Sequence, residues 1–250
     1  MRNPFADDPH KSWRRWGERD PYYAVLLDQG HRRARLDAAS LAALYAGGEA
    51  YVARLEAQFD TLAGRRQHGT VLDFGCGVGR LTLPLARRYH EAVGVDISPG
   101  MLREAQRQAS AQGIGNCRFS EELPDQPVDA VYAFSVLQHM EPAEAEATLA
   151  MLARLLAPGG VGMVHVLIGD RRSKLHRLYG RAVRQLPLLR LPVNLLRGRP
   201  PGDPPIQMNL HSLARLTKLL RGAGLQVQIG EALGNQTRHV GVEILFHRPI

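Results

Sequence analysis

Cysteine is nearly missing from this chain. Cys76 and Cys117 are the only two in 250 residues, which excludes a disulfide-built scaffold and a multi-cysteine zinc site. The ten histidines show no metal-ligand spacing, so no metal is expected. No uninterrupted apolar run reaches the ~18 residues that a transmembrane helix needs. Met1 to Trp16 is polar and aromatic without an apolar core, unlike a secretory signal. Internal repeats and low-complexity tracts are also lacking. Together these absences predict a soluble protein in a reducing, cytoplasmic setting. Lysine is scarce as well: Lys11, Lys174 and Lys218 are the only three, so the positive charge is carried by arginine.

What is present is a chain with enough apolar residues, 44%, for one sizeable core, and a net charge of +8. That charge is local. Between Asp170 and Asp203 lie nine cationic side chains, Arg171, Arg172 and Lys174 among them, against those two flanking acids. The excess therefore marks a patch rather than the whole molecule.

Three zones follow one another. Residues 1–69 are helical in pattern, with Tyr51, Val52, Leu55, Phe59 and Leu62 at helical spacing. From residue 70 apolar strands alternate with helices. The strands are 71–74, 92–95, 117–119, 128–134 and 161–167; the helices between them are 80–89, 98–112 and 143–156. Ser98-Pro99 reads as a helix start, with serine at the cap and proline in the first turn. A basic, proline-containing insertion, 169–208, interrupts the alternation before a helix at 211–221 and the strand pair 225–229 and 240–246. The short connection of that pair favours antiparallel pairing at the sheet edge. The expected fold is α/β: a Rossmann-like doubly wound sheet with a helical N-terminal cap, 1–69, on a domain spanning 70–250.

Two features of the alternating zone point to a ligand. Val71–Arg80 reads VLDFGCGVGR, placing Gly75, Gly77 and Gly79 at alternate positions directly after a strand. Glycines there permit a sharp turn and let a ligand approach the backbone at the start of the next helix. The second strand ends in GVDIS, so Asp96 stands about 20 residues beyond the loop, where an acid accepts hydrogen bonds from ribose hydroxyls. A dinucleotide fingerprint would carry its third glycine at the position of Arg80.

The run VLDFGCGVGR, then GVDIS, then DAVYAFSVLQHM, then LLAPGG resembles the class I S-adenosylmethionine-dependent methyltransferases over about residues 70–168. The resemblance implies a seven-stranded sheet with one antiparallel edge strand, a site at the C-terminal ends of the strands, and S-adenosyl-L-methionine as cofactor. It also implies that Asp73, Gly75, Gly77 and Gly79, with Phe74 and Cys76 in the same turn, line the methionine part. Asp96 would hold the ribose, Ile97 and Met101 would flank the adenine, and Phe134 and Ser135 would sit near the transferred methyl. The segment 117–127 departs from the family pattern after the third strand. Ser120 or Glu121 would there serve the adenine amino group, or the acids are solvated loop residues.

Methyl transfer from a sulfonium is an in-line displacement, so positioning can supply much of the rate. A hydroxyl acceptor also benefits from a base. His139, after the fourth strand, is either that base or a ring packed beside the cofactor. His165, inside an apolar strand, reads as a core group, and His211 as the start of a helix. Residues 13–26 hold both tryptophans and two tyrosines, either an aromatic cover over the cofactor cleft or a helix packed on the sheet; Tyr22 and Tyr23, adjacent in an expected turn, cannot both face a core. Residues 171–196 carry an apolar stripe beginning at Leu175 and Leu178 with arginines largely off it, the pattern of a basic amphipathic lid. It would pack with its arginines in water, dock at an anionic membrane surface, or capture phosphate or nucleic acid. The leading expectation is a methyltransferase acting on a small-molecule, glycan or lipid-linked acceptor at oxygen. The alternatives are an RNA methyltransferase, for which no appended RNA module is visible, and a non-catalytic binding protein of the same fold.

Overall fold

The computed structural model describes residues 8–26, 36–64, 68–172, 203, 206–234 and 239–250, the side chains of 231–234 excepted. Seven strands form a single sheet: β1 (Thr70–Phe74), β2 (Glu91–Val95), β3 (Cys117–Ser120), β4 (Val128–Ala133), β5 (Leu156–Asp170), β6 (Gln226–Gly234) and β7 (His239–His247), in the order β3-β2-β1-β4-β5-β7-β6. β3, β2, β1, β4 and β5 are parallel neighbours, while β7 runs antiparallel to both β5 and β6. This is the doubly wound architecture with the expected antiparallel pairing at one edge.

Adjacent residues of each central strand feed opposite cores. Leu72, Val131 and Val164 pack beneath α6 (Pro142–Leu155) and α7 (Leu213–Gly222). Val71, Ala130 and Met163 pack beneath α3 (Ala38–Ala63) and α4 (Thr82–Ala86). A strand buried on both faces must be apolar without alternation, and that is how these strands read. The long α3 is bounded by legible signals. The Asp37 carboxylate accepts the Ser40 N–H at 2.7 Å, and Gly64 ends the helix at φ 68°.

Several boundaries differ from the sequence reading. The helix expected over 80–89 is only the five residues of α4, because Pro84 falls in it and the chain turns away after Ala86. α5 (Pro99–Ala111) begins at Ser98-Pro99 as expected, yet the Ser98 side chain makes no cap hydrogen bond. His211 does not open α7, whose cap is Ser212; His211 Nε2 instead donates to the Leu137 carbonyl at 2.9 Å. Of the basic lid 171–196, all but Arg171 and Arg172 lie outside the described residues, and Arg172 pairs with Asp170 at 2.7 Å. No helix among the described residues is long and apolar enough to cross a membrane.

The N-terminal helices α1 (Pro9–Arg19) and α2 (Pro21–Leu26) are held against α5 by a glycine-on-glycine crossing. A Cβ on Gly100 would lie 2.5 Å from the Gly17 carbonyl carbon, and one on Gly17 would strike the Ser98 hydroxyl. The Ser98 side chain is thus enclosed by α1 rather than free to cap α5. Tyr22 and Tyr23 are both buried. They lie on α2, not in a turn, so their side chains diverge by the helical step of ~100°. Tyr23 packs on Trp16 at 5.2 Å, while the Tyr22 hydroxyl donates to Glu104 and accepts from Gln108 on α5.

Gly100→Ala tests this crossing. Helix propensity alone would stabilise the variant by up to ~1 kcal/mol, but the obstacle is backbone and cannot swing aside, so overpacking at ~1–3 kcal/mol decides the sign. The expected outcome is a lower urea midpoint with faster proteolysis within 9–26. Unchanged stability and protection would refute a tight crossing.

Candidate functional site

The β1 turn is stitched to the end of β2. Gly75 N–H and Cys76 N–H both donate to the Val95 carbonyl, at 2.7 and 3.0 Å. Gly77 N–H donates to the Asp96 carboxylate at 3.0 Å, and Ser98 N–H reaches its other oxygen at 2.9 Å. Gly75 and Gly77 adopt φ 74° and 53°, where a side chain is strained. Space is equally tight. A Cβ on Gly75 would strike Val136, and one on Gly77 would meet Val25 of α2 at 3.2 Å.

Above this turn lies a cavity of about 460 Å³, within the range of small-molecule sites. It brings together Asp73, Phe74, Gly75, Cys76 and Gly77 from the β1 side, Asp96, Ile97 and Met101 from the β2 side, and Phe134, Ser135 and His139 beyond β4. Gly79 and Ser120 are not part of its wall. Gly79 instead gives close approach to α5, where a Cβ would lie 3.2 Å from that of Ala105. Ser120 Oγ accepts the Glu122 N–H, and Glu121, tied to Arg14 at 2.7 Å, takes the place at the cavity.

Two acids sit in this wall. Burial pushes Asp73 up to about 7, against the hydrogen bond from Thr82 Oγ1 at 2.6 Å. Burial likewise pushes Asp96 up to about 6, against its two backbone donors. Each Asp96 oxygen retains a lone pair beyond its one backbone partner, the requirement for receiving a vicinal diol.

His139 closes a single 3₁₀ turn, Leu137–His139. Its Nδ1 lies 2.7 Å from the Gln207 carbonyl. A carbonyl only accepts, so Nδ1 carries the proton and Nε2 the lone pair. Burial lowers its pKa to about 4, opposed by the Gln207 and Ser135 carbonyls, so the ring is neutral at physiological pH. Trp13 of α1 meets the ring edge-on at 4.6 Å. Gln207 is held by the returning segment, where Asn209 N–H donates to the Gln138 carbonyl at 2.7 Å and Asn209 Nδ2 to that of Met140 at 2.7 Å. His165 is a buried neutral ring as expected, 3.4 Å from Ser135 Oγ, whose own φ of 60° is unusual for a residue with a side chain.

The Gly-rich turn, the acid on the next strand and the shared cavity find their counterpart in known proteins. The family described as "Methyltransferase domain" matches residues 71–160. That stretch is therefore a methyltransferase domain, similar to those of the class I S-adenosylmethionine-dependent methyltransferases. A trans-aconitate 2-methyltransferase of Methylobacterium nodulans is 39% identical over 119 residues, 47% of this chain and 45% of that protein. A 23S rRNA (uracil(1939)-C(5))-methyltransferase of Shewanella amazonensis is 30% identical over 163 residues, 55% of this chain and 36% of that protein. The chain thus spans less than half the length of these curated relatives. Magnesium protoporphyrin IX methyltransferase from Synechocystis PCC 6803 shares the fold at a TM-score of 0.62 and 20% identity, covering 94% of this chain and 97% of that one.

The residues present fit S-adenosylmethionine. The loop geometry excludes a Cβ where a ligand would meet the backbone. Asp96 has acceptors for two hydroxyls, Ile97 and Met101 offer apolar surface for a base, and the Phe134 face and Asp73 suit a cation. Reading missed the outer wall: His10 and Trp13 from α1, Val25, Gln138 and Arg80 all line the cavity. Only the N-terminal aromatics carried a signal, as a possible cover.

Two outcomes follow from the buried acids. Asp96→Ala is expected to weaken S-adenosylhomocysteine binding by about 1.5–3 kcal/mol in a folded variant, and unchanged calorimetric affinity would refute the assignment. Raised carboxyl pKa values mean that the folded protein holds protons the unfolded chain releases. The contribution of these two acids to stability therefore declines as pH rises from the ordinary value of 3.8 through about 6 and 7, then levels off, while the buried neutral rings of His139 and His165 contribute in the opposite sense between about 4 and 6.5. A ligand donating hydroxyls to Asp96, or carrying cationic charge near Asp73, favours the ionised forms. S-adenosylmethionine binding near pH 6 should then release protons, seen as buffer-dependent calorimetric enthalpy that fades by about pH 8. Buffer independence at both would contradict this.

Proposed function

We propose that the chain transfers the methyl group of S-adenosylmethionine to an oxygen of a small-molecule acceptor, with His139 as the base. The observation that carries this reading is the His139 tautomer: its proton is committed to the Gln207 carbonyl, leaving an unprotonated Nε2 on a ring that lines the cavity. An amine or thiolate acceptor would not need such a group; a hydroxyl benefits from it.

When bound, S-adenosylmethionine supplies an electrophilic methyl on a sulfonium. Asp96 and the Gly75–Gly77 turn hold the nucleoside and methionine ends. Phe134 and Ser135 line the cavity beside His139, where an acceptor hydroxyl would be received. His139 would take that hydroxyl's proton at Nε2, leaving the oxygen to receive the methyl that the cofactor would supply. Trp13 and the Gln207 carbonyl fix the ring in that orientation and keep water from one side of it. The small size of the cavity, covered by α1, favours a small acceptor over RNA, and the relative named for trans-aconitate supports that choice.

The test has two parts. Incubation of the protein with methyl-labelled S-adenosylmethionine and separate metabolite, lipid and RNA fractions should place label in the metabolite fraction. Label in RNA alone would overturn the acceptor class. With an acceptor in hand, His139→Ala should lower turnover by about 10²–10⁴-fold with cofactor affinity little changed. Because the ring is neutral above about 4, the His139 contribution to turnover, measured with S-adenosylmethionine saturating, should be lost as pH drops through that value, with no His139 step near 6.5. Near-normal turnover in the variant would leave catalysis to positioning.

A further inference from the structure

Arg80 directly follows the third glycine of the turn and lines the cavity. Its stem passes beneath α3, where Gly48 is needed. A Cβ there would strike the Arg80 carbonyl oxygen and lie 3.0 Å from Arg80 Cγ. The guanidinium ends over the Phe134 ring, 5.6 Å from its centroid. Among the described residues, no carboxylate lies within ion-pair distance of it.

The neighbouring buried acids are already committed. Glu243, fully buried, takes Arg54 at 3.0 and 2.5 Å and the Tyr51 hydroxyl at 2.6 Å. Glu56 receives the hydroxyls of Tyr89 and Tyr132 at 2.8 and 2.5 Å. A partly buried guanidinium without an anion is costly, and burial does depress its basicity, with only Tyr51 and Asp73 opposing from a distance. A planar guanidinium whose face is covered by an aromatic ring offers its edge, the geometry that takes a carboxylate bidentately. Of the other polar residues in the lining, Gln138 is 7% exposed and His139 is a neutral ring, so neither supplies a charge to pair with an anion.

We propose that Arg80, seated on Phe134, is a carboxylate-binding subsite of the cavity, holding a carboxylate of either the cofactor's amino-acid portion or the acceptor. The inference rests on the reading of the cavity as a cofactor site, and the two can fail separately. Calorimetry would compare wild type, Arg80→Leu and Arg80→Lys with three probes. These are S-adenosylhomocysteine, 5′-methylthioadenosine, which lacks the amino-acid carboxylate, and, with S-adenosylhomocysteine saturating, the tricarboxylate tricarballylate against its trimethyl ester.

A cofactor carboxylate at Arg80 predicts that Arg80→Leu weakens S-adenosylhomocysteine roughly 10- to 100-fold and leaves 5′-methylthioadenosine unchanged. An acceptor carboxylate predicts unchanged nucleoside affinities and tricarballylate binding to wild type, but not of the ester, that Arg80→Leu abolishes. Arg80→Lys should recover part of either loss. Unchanged 5′-methylthioadenosine binding also reports that the variants are folded. If both nucleosides bind all three proteins equally and no Arg80-dependent tricarballylate binding occurs, the subsite is overturned while the cofactor reading stands. If neither nucleoside binds wild type, the cofactor reading falls and this inference with it.

Discussion

The turn after β1 is the constraint on which the site depends. It must reverse the chain from a buried strand toward α4 while keeping its backbone open to the cavity. The Val95 carbonyl solves the first problem by accepting from both Gly75 and Cys76, fixing the turn to the neighbouring strand. Asp96 extends the stitch by one residue through the Gly77 N–H. The same acid that would hold a ligand therefore also sets the shape of the loop that would cradle it. Left-handed backbone at Gly75 and Gly77 makes the arrangement dependent on glycine by conformation, and at Gly75, where a Cβ would strike Val136, by space as well.

That turn gathers polar groups in an apolar surround, and the energetic consequence is visible in their titration. Asp73 and Asp96 are held well above the ordinary carboxylate range, and Arg80 below the ordinary guanidinium range, with burial the largest cause in each. Elsewhere in the described fold Glu243 has Arg54, Asp170 has Arg172, and Glu56 has two tyrosine hydroxyls. Displaced protonation in a cavity is a recurring mark of functional sites, because the same desolvation that destabilises the free protein strengthens every interaction a ligand makes there.

The sheet and the cofactor end were legible because their signals are local. A strand, a glycine at alternate positions and an acid one strand later lie within 26 residues, Val71 to Asp96, and each acts on its own stretch of backbone. Failures came where a long-range contact overrode a local preference. Ser98 has the sequence of a helix cap, but Gly17 of α1 encloses its hydroxyl. Tyr22 and Tyr23 looked incompatible with a shared core until placed on a helix that packs against two different neighbours. Arg80 was read only as the residue that breaks a dinucleotide pattern. Nothing in its sequence surroundings says that its guanidinium crosses to Phe134, which lies 54 positions further along. The tautomer of His139 was equally out of reach, because its determinant, the Gln207 carbonyl, stands 68 residues away beyond the basic insertion.

The wall of the cavity is therefore built from two classes of sequence. The cofactor end falls within 71–160, the stretch matched by the family. Part of the remaining wall does not: Trp13 and Val25 come from the N-terminal helices, and Met208, next to the Gln207 that holds His139, from the segment that returns after the insertion. These flanks converge on His139, which Trp13 touches from one side and Gln207 holds from another. A change in either flank can reshape the acceptor space while leaving the glycine turn and Asp96 intact. In this chain α1 and the 206–209 segment both meet His139, and Arg80 adds a cationic group to the same cavity, so the features that distinguish its site lie largely outside the glycine turn and Asp96.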